Sequence, residues 1–258
     1  PPHPASFVGR EQDLLDLADV FDQGVRLLTL LGPAGTGKTR LALRFGEQHL
    51  ERQADETVWF CDLTEGRTKA DVVTTVAAVL GVPSDCEPGE LVSRIGLSLA
   101  GRDKLMLVLD NFEQVAAEAP NTIVSWMNAA PKARFLVTSR ERLRLDGEVM
   151  MALAPLSQED AVTLFTERAR AARPGLAIIS YEDVEIINEI VRRLDQLPLA
   201  IELAAARISV LSPKKLLSRM DKRFDLLQGA RRDSVGRQAT MWGAIRWSWD
   251  LMESWEQD

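Results

Sequence analysis

Residues 32 to 39 read Gly-Pro-Ala-Gly-Thr-Gly-Lys-Thr, and this segment constrains the fold more than any other part of the chain. It directly follows the apolar run of residues 26 to 31 and opens a stretch of helical period at residues 38 to 50. A strand, a glycine-rich loop and a helix in this order let backbone N–H groups curl around phosphate oxygens. We therefore expect a parallel sheet with a phosphate-binding loop, or P-loop, after one of its strands.

The residues of this loop have separate expected roles. The glycines leave room for phosphate, and the N-terminus of the following helix adds partial positive charge. Lys38 is expected to reach the β and γ phosphates, while the hydroxyl of Thr39 ligates Mg²⁺. The loop therefore predicts binding of a purine nucleoside triphosphate with Mg²⁺. The residues that we expect to contact the nucleotide here are Pro33, Ala34, Gly35, Thr36, Gly37, Lys38, Thr39 and Arg40.

A magnesium ion at a P-loop needs an acidic partner at the end of a neighbouring strand. The apolar segment Leu-Met-Leu-Val-Leu ends at Asp110, which we predict to be the second metal ligand, the Walker B acid. The residue after it is Asn111, where many P-loop motors place a Glu that polarises the attacking water. An amide at this position favours slow hydrolysis, and Glu113 is a candidate substitute.

The next predicted strand ends in Thr138-Ser139-Arg140, two hydroxyls and a guanidinium. These groups suit contact with a γ-phosphate from the opposite side of the site, and Arg140 is the candidate sensor and catalytic residue beside Lys38 and Asp110. The alternative is that Arg140 begins a solvated helix.

Short aliphatic runs alternate with helical segments over about the first 165 residues, the pattern of a parallel sheet flanked by helices. Further strands are predicted at residues 57–61, 104–110, 134–138 and 148–153, and helices at 10–22, 69–80, 88–100 and 119–129. After Pro155 the strand signals vanish, and Leu-Ser-Gln-Glu-Asp-Ala offers a helix cap with an acidic first turn. Helices are predicted there at residues 157–171, 182–194, 198–209, 213–220 and 238–251.

The composition limits which binding partners and which cellular compartment we expect. The 31 Lys and Arg against 38 Asp and Glu give a net charge of −7, so direct nucleic-acid binding is not expected. Cys61 and Cys86 have no metal-ligand spacing, which favours a reducing, cytoplasmic setting. No membrane span or signal peptide is predicted, and since the chain lacks a starting Met we expect a fragment of a longer protein.

Together these motifs resemble the STAND class of signalling ATPases, relatives of AAA+ proteins that include the NB-ARC switches. Four further segments carry the resemblance. They are Phe7-Val8-Gly9-Arg10-Glu11, residues 155–165, Leu197-Pro198-Leu199-Ala200 and residues 237–256. The last is similar to the start of the winged-helix domain in the bacterial AfsR and LuxR-type branch. Gln196 stands where the family usually has a Gly before the proline.

The resemblance implies a P-loop NTPase sheet of AAA+ type at residues 1–155, an all-α lid at 156–232 and the start of a winged-helix domain at 233–258. It also implies that Phe7, Val8, Gly9 and Arg10 wrap the adenine and that Pro198 packs on the base. ADP would hold a resting state, and ATP would favour an active, self-associating one. Hydrolysis would then reset the switch.

Three other readings remain open at this point. An AAA+ motor or loader acting on protein or nucleic acid shares the P-loop and Asp110, although Asn111 and the acidic charge count against it. A kinase on a P-loop fold would need an acceptor-binding lid and no winged-helix segment. A nucleotide-gated interaction module without turnover is the third. No Asn-Lys-x-Asp guanine motif occurs, which supports ATP.

Overall fold

The computed structural model describes residues 6–52, 56–102, 104–174 and 181–220. The chain divides into two compact units. The first, here called the sheet unit, comprises Glu11–Pro33 and Lys38–Leu153, and the second, the helical unit, comprises the residues up to Arg10, Ala34–Gly37 and the residues from Ala154 onwards. The winged-helix segment predicted at 233–258 and the helix predicted at 238–251 lie outside the described residues.

The sheet unit contains five strands, all paired in parallel in the order β2-β3-β4-β1-β5. Their bounds are β1 Leu27–Leu31, β2 Thr57–Asp62, β3 Leu105–Asp110, β4 Arg134–Ser139 and β5 Glu148–Ala152. The predicted parallel sheet is therefore confirmed, with strand ends within one residue of those expected. Because the strands run the same way, the residues that follow them gather at one edge of the sheet.

In the described residues of the sheet unit, five α-helices flank the sheet: α1 Glu11–Asp22, α2 Lys38–Arg52, α3 Lys69–Leu80, α4 Pro88–Ala100 and α5 Ile123–Ala129. Strand β3 is buried throughout, and β1 and β4 are buried at all but one residue each, whereas most residues of the edge strands β2 and β5 are partly or fully exposed. The indole of Trp126 on α5 is fully buried and donates to the carbonyl of Val92 at 3.1 Å.

The helix predicted at 119–129 is shorter in the structure. It begins at Ile123, and a 3-10 helix covers Phe112–Glu118 before it. Thr122 lies between them with non-helical backbone angles, and its hydroxyl donates to the carbonyl of Glu118 at 2.7 Å. This side-chain bond competes with helix continuation, which explains the break.

The helical unit contains α6 Gln158–Ala172, α7 Tyr181–Arg193, α8 Pro198–Ala206, a 3-10 turn at Arg207–Ser209 and α9 Pro213–Met220. Their apolar faces form one core, which includes Phe165, Ile190 and Ile201, each fully buried. Helix α6 begins after Ser157, whose side chain accepts from the N–H of Asp160 as the sequence pattern predicts.

The turn before α8 explains why glycine is usual there. Gln196 has φ +55°, a left-handed conformation that an ordinary side chain rarely adopts. Its amide donates to the side chain of Gln158 at 3.0 Å, and its carbonyl accepts from the N–H of Leu156. These bonds hold the strained residue in place. No helix in the described ranges is long and apolar enough to cross a membrane.

Candidate functional site

Lys38 is the first residue of α2 and is largely buried, with 8% of its surface exposed. Its ammonium donates to the carbonyls of Gly32 at 2.8 Å and Pro33 at 3.1 Å. Burial lowers the pKa of Lys38, while the negative charges of Glu113 and Asp110 act to raise it. The P-loop carbonyls and two carboxylates thus hold a cationic donor at the carboxyl edge of the sheet.

Asp110 ends β3 and is almost completely buried. Each of its carboxylate oxygens accepts from the hydroxyl of Thr39 at 2.9 Å, and Oδ1 also accepts from Thr138 at 2.5 Å. Burial raises the pKa of Asp110, and the neighbouring charges of Asp62 and Glu113 raise it further, against the lowering effect of the two hydroxyls. The structure therefore brings together the two residues, Thr39 and Asp110, that the sequence proposed as metal ligands.

Asn111 has φ +61°, and its side chain turns back onto the strand ends. Its amide nitrogen donates to Asp110 Oδ2 at 2.8 Å and to the hydroxyl of Thr64 at 2.8 Å, with a longer contact of 3.4 Å to Asp62 Oδ1. The amide nitrogen has two N–H groups for these three acceptors, so both are already used in hydrogen bonds to neighbouring residues. Asp110 is thereby oriented from a third side.

The sequence reasoning missed Asp62 and Thr64 in this network. Asp62 ends β2 and lies opposite Asp110 in the strand register. Burial acts to raise the pKa of Asp62. Hydrogen bonds from Thr64 and Asn111 lower it by more, so the pKa lies below its ordinary value. The sequence offered part of this signal, because an acidic residue that ends a strand of a parallel sheet lies at the carboxyl edge, but only the pairing of β2 with β3 places it beside Asp110.

Arg140 follows β4 in a bend, so the alternative that it begins a helix is wrong. Its guanidinium Nε donates to Glu113 Oε1 at 2.8 Å, and the two side chains are 20% and 12% exposed. Thr138 and Ser139, whose hydroxyls suit contact with a γ-phosphate, bond other groups in this structure. The hydroxyl of Thr138 donates to Asp110, and that of Ser139 accepts from the N–H of Glu141 at 3.1 Å.

The four residues expected around the adenine begin the helical unit. Phe7 is half-buried, and Val8 packs against the apolar core of this unit. Gly9 has φ +69°, and a Cβ placed on it would lie 2.6 Å from Cγ of Asp160, so only glycine fits there. Arg10 also has a positive φ, and its guanidinium donates to the carbonyl of Thr36 at 3.1 Å.

The tip of the P-loop, Ala34–Gly37, belongs to the helical unit. The N–H of Leu199 donates to the carbonyl of Gly35 at 3.2 Å. A Cβ on Gly35 would lie 3.0 Å from Cβ of Leu199, and one on Gly37 would lie 3.9 Å from Cγ of Pro198. Pro198, which begins α8 at a position that suits proline, is thereby placed beside the loop tip. Arg40 lies half-buried in the first turn of α2.

These residues fit a nucleotide phosphate with Mg²⁺. Gly35 and Gly37 have φ of +82° and +93°, a backbone that turns N–H groups inward as a phosphate nest requires. Thr39 and Asp110 offer oxygen ligands, which Mg²⁺ prefers, and this ion usually completes its shell with water and phosphate oxygens. Among the described residues no group of three or more His, Cys, Asp or Glu could hold a metal alone.

Sequence comparison places this geometry in a known domain type. Residues 22–144 match the family described as AAA domain. An uncharacterized protein of Mycobacterium tuberculosis is 36% identical over 256 residues, which cover 99% of this chain and 64% of that protein. A second protein of that organism, provisionally named an HTH-type transcriptional regulator, is 35% identical over 90% of this chain and 26% of its own length. The chain thus spans less than two thirds of these relatives.

Solved structures agree on the fold. Cdc6p from Pyrobaculum aerophilum superposes with a TM-score of 0.59 at 20% identity, covering 85% of this chain and 65% of that one. A STAND protein with a tetratricopeptide repeat sensor from Pyrococcus horikoshii gives a TM-score of 0.50 at 16% identity, covering 88% of this chain and 35% of that one. Residues 22–144 therefore match an AAA domain, and the sheet with its helices has the AAA+ P-loop fold.

Proposed function

We propose that this chain is the nucleotide-binding core of a STAND-type signalling ATPase, since it carries an AAA-type P-loop domain. ADP binds in the resting state, and ATP with Mg²⁺ binds in an active, self-associating state. Slow hydrolysis returns the second state to the first. The proposal includes a helical lid at residues 156–232 and the start of a winged-helix domain at 233–258.

The hydrogen bonds of Asn111 carry this proposal. The residue after Asp110 has no carboxylate to accept a proton from water, and its amide is already bonded to Asp110 and Thr64. A general base must lie within hydrogen-bond reach of the proton that it takes. The nearest substitute, Glu113, is paired with Arg140. Turnover is therefore slow, as suits a timed switch and not a motor.

The roles of the residues follow from their positions. Lys38 offers its ammonium to the phosphates, and the backbone N–H groups of the loop before α2 donate to the remaining phosphate oxygens. Thr39 and Asp110 hold Mg²⁺, which neutralises phosphate charge when bound. Arg140 contacts the γ-phosphate, and this contact distinguishes ATP from ADP. A switch needs such a difference in affinity between its two states.

The segment from Phe7 to Arg10 and Pro198 hold the base, chiefly through backbone and apolar groups. Such contacts distinguish adenine from guanine only by the shape of the base. Competition between ATP and GTP for binding tests whether the site prefers ATP. One relative is named as a transcriptional regulator of HTH type, which supports a regulatory role for the whole protein. We assign no nucleic-acid contact to this chain, which carries a net charge of −7 and fits a cytoplasmic setting.

Light scattering on the full-length protein tests the switch. The mass should increase with a non-hydrolysable ATP analogue and Mg²⁺ and stay at the resting value with ADP. Equal masses with both nucleotides would count against a self-associating switch.

The pairing of Glu113 with Arg140 also favours a second candidate, a nucleotide-gated interaction module without turnover. Single-turnover hydrolysis with protein in excess separates the two. Slow formation of ADP supports the switching ATPase, whereas ATP that stays intact over many hours supports the module.

A further inference from the structure

Four charged side chains of the sheet unit form one electrostatic cluster. Burial lowers the pKa of Lys38, the charges of Glu113 and Asp110 act to raise it, and the charge of Arg140 acts to lower it, so these three groups lie near its ammonium. Two of the four are cations and two are anions, and the charge of Asp62 also acts on Asp110. A protein that must attract a triphosphate would gain affinity from an excess of positive charge here. The presence of Glu113 in this cluster therefore needs a reason.

Asp110 has an assigned role at the metal, but Glu113 does not. Its side chain is only 12% exposed, and its Oε1 accepts from Arg140 Nε at 2.8 Å. Its other oxygen, Oε2, is buried and has no hydrogen-bond partner among the described residues. A buried carboxylate oxygen without a donor is unfavourable, because it has lost its hydrogen bonds to water and gained none in exchange. The hydrogen bonds that Glu113 makes therefore do not explain why the chain has a carboxylate at this buried position.

The local backbone explains how Glu113 reaches the cluster. Asn111 turns the chain with a left-handed φ of +61°, and Phe112 is fully buried in the core directly after it. Glu113 follows in the first turn of the 3-10 helix, anchored by that phenyl ring. The carboxylate is therefore positioned by the fold and not by a flexible loop.

We infer that Glu113 biases the site towards ADP, because it holds the guanidinium of Arg140, the group that the proposed switch uses to contact the γ-phosphate. This inference rests on the proposed nucleotide switch and deepens it. A γ-phosphate must take Arg140 from Glu113 and must lie near a carboxylate of like charge. ADP, which lacks that phosphate, meets neither obstacle. Glu113 thus lowers the affinity for ATP selectively and keeps the resting state occupied by ADP.

The test compares Glu113→Gln with the wild type in the full-length protein. Calorimetric titrations with ADP and with a non-hydrolysable ATP analogue, both with Mg²⁺, give two dissociation constants for each protein. Since glutamine keeps the shape and removes the charge, the affinity for the analogue should increase relative to ADP by about tenfold, the size of typical coupling between sites. Glu141→Gln is the matched control, since Glu141 is exposed and adjacent to Arg140. Its ratio should change less than about twofold.

A double-mutant cycle tests whether the effect passes through Arg140. In an Arg140→Gln background, Glu113→Gln should change the ratio of affinities much less than in the wild type. The variant Glu113→Asp keeps the charge and shortens the side chain, so it should give an intermediate ratio. This variant also keeps the test open if the uncharged one folds poorly, which circular dichroism would reveal.

Two outcomes overturn the inference. One is an unchanged ratio of ADP to ATP affinity in folded Glu113→Gln. The other is loss of single-turnover hydrolysis with the ratio unchanged, which would make Glu113 a general base. Both measurements concern binding and chemistry and not assembly. Equal light-scattering masses with a shifted ratio would therefore refute the self-associating switch and leave the role of Glu113 standing.

Discussion

The hydroxyl of Thr138 donates to Oδ1 of Asp110 at 2.5 Å while it accepts from the N–H of Asn111 at 3.0 Å. One hydroxyl therefore links the end of β4 to both the carboxylate and the backbone that follow β3. Because its acceptor role is filled by the backbone N–H, its proton points to Asp110. The position of the carboxylate is set by a neighbouring strand.

Replacing Thr138 should show how much its hydroxyl contributes as donor to Asp110 and acceptor from Asn111, apart from the packing of its side chain. Thr138→Val keeps the shape and removes the hydroxyl, which leaves the N–H of Asn111 and Oδ1 of Asp110 short of a partner in a buried site. We expect a loss of about 1–3 kcal/mol in the free energy of unfolding, measured by denaturant titration, and weaker binding of ATP with Mg²⁺. Thr138→Ser restores the hydroxyl and should recover most of both losses; no recovery would contradict the role given to it.

Lys38→Ala should abolish binding of ATP and of ADP while the protein stays folded. The ammonium is a charge-assisted donor to phosphate, and its loss should weaken both nucleotides by about a hundredfold or more in calorimetry. Lys104→Ala, a change at an exposed lysine, serves as the control and should bind normally. Unchanged affinity of the Lys38 variant would refute the site assignment.

Asp110→Asn should weaken binding of ATP with Mg²⁺ more than binding of ADP. An amide is a poor ligand for Mg²⁺, and the ion matters most when the γ-phosphate adds charge. We expect the ratio of the two affinities to fall by about tenfold. Titrations repeated in EDTA provide the control, because without the metal the variant has lost only a negative charge near the phosphates and should bind ATP at least as well as the wild type. Weaker binding of ATP by the variant that persists in EDTA would place Asp110 outside the metal site.

Gly9→Ala should destabilise the protein more than Gly147→Ala. Both glycines have positive φ, so alanine introduces similar backbone strain of about 1 kcal/mol at each. Only at Gly9 does the new Cβ also meet a neighbour, the carboxyl of Asp160, which caps α6 with Ser157. The extra loss should be about 1 kcal/mol or more in denaturant titration. Equal losses would show that Asp160 gives way freely.

Asp62→Asn should change the dependence of stability on pH. Hydrogen bonds from Thr64 and Asn111 hold the pKa of Asp62 below its ordinary value of 3.8. A lowered folded-state pKa adds stability above the unfolded value, and this addition is lost as pH falls through the folded value. The difference in melting temperature between wild type and variant should therefore be constant from about pH 7 to 5 and shrink below about pH 4. A constant difference throughout would refute the hydrogen-bonded carboxylate.

Periodicity predicted the sheet well because parallel strands buried on both faces are continuous apolar runs, as in β3. The strand order was not predicted, since it depends on which runs pair across long stretches of chain. The helix expected at 119–129 also began later than its period suggested. The reason is a single hydrogen bond from Thr122, which competes with the helix and leaves no periodic signal.

At the candidate site the sequence singled out Lys38, Thr39 and Asp110, because a P-loop and a strand-ending acid are local patterns. The structure brings Thr39 and Asp110 to 2.9 Å. The hydrogen-bond partners of Asn111 could not be predicted from local sequence patterns. They lie on β2 and in the turn after it, and only the pairing of β2 with β3 makes them neighbours.

The amino-acid sequence by itself determined the P-loop, the parallel sheet and the helical segments after Pro155, since each depends on residues close together in the chain. Only the tertiary structure determined which side chains at the strand ends form hydrogen bonds and ion pairs with one another. It joined Glu113 to Arg140, and it directed the hydroxyl of Thr138 to Asp110. The physical reason is that hydrogen bonds and ion pairs act over about 3 Å, and only the order of the strands brings residues distant in sequence within that range.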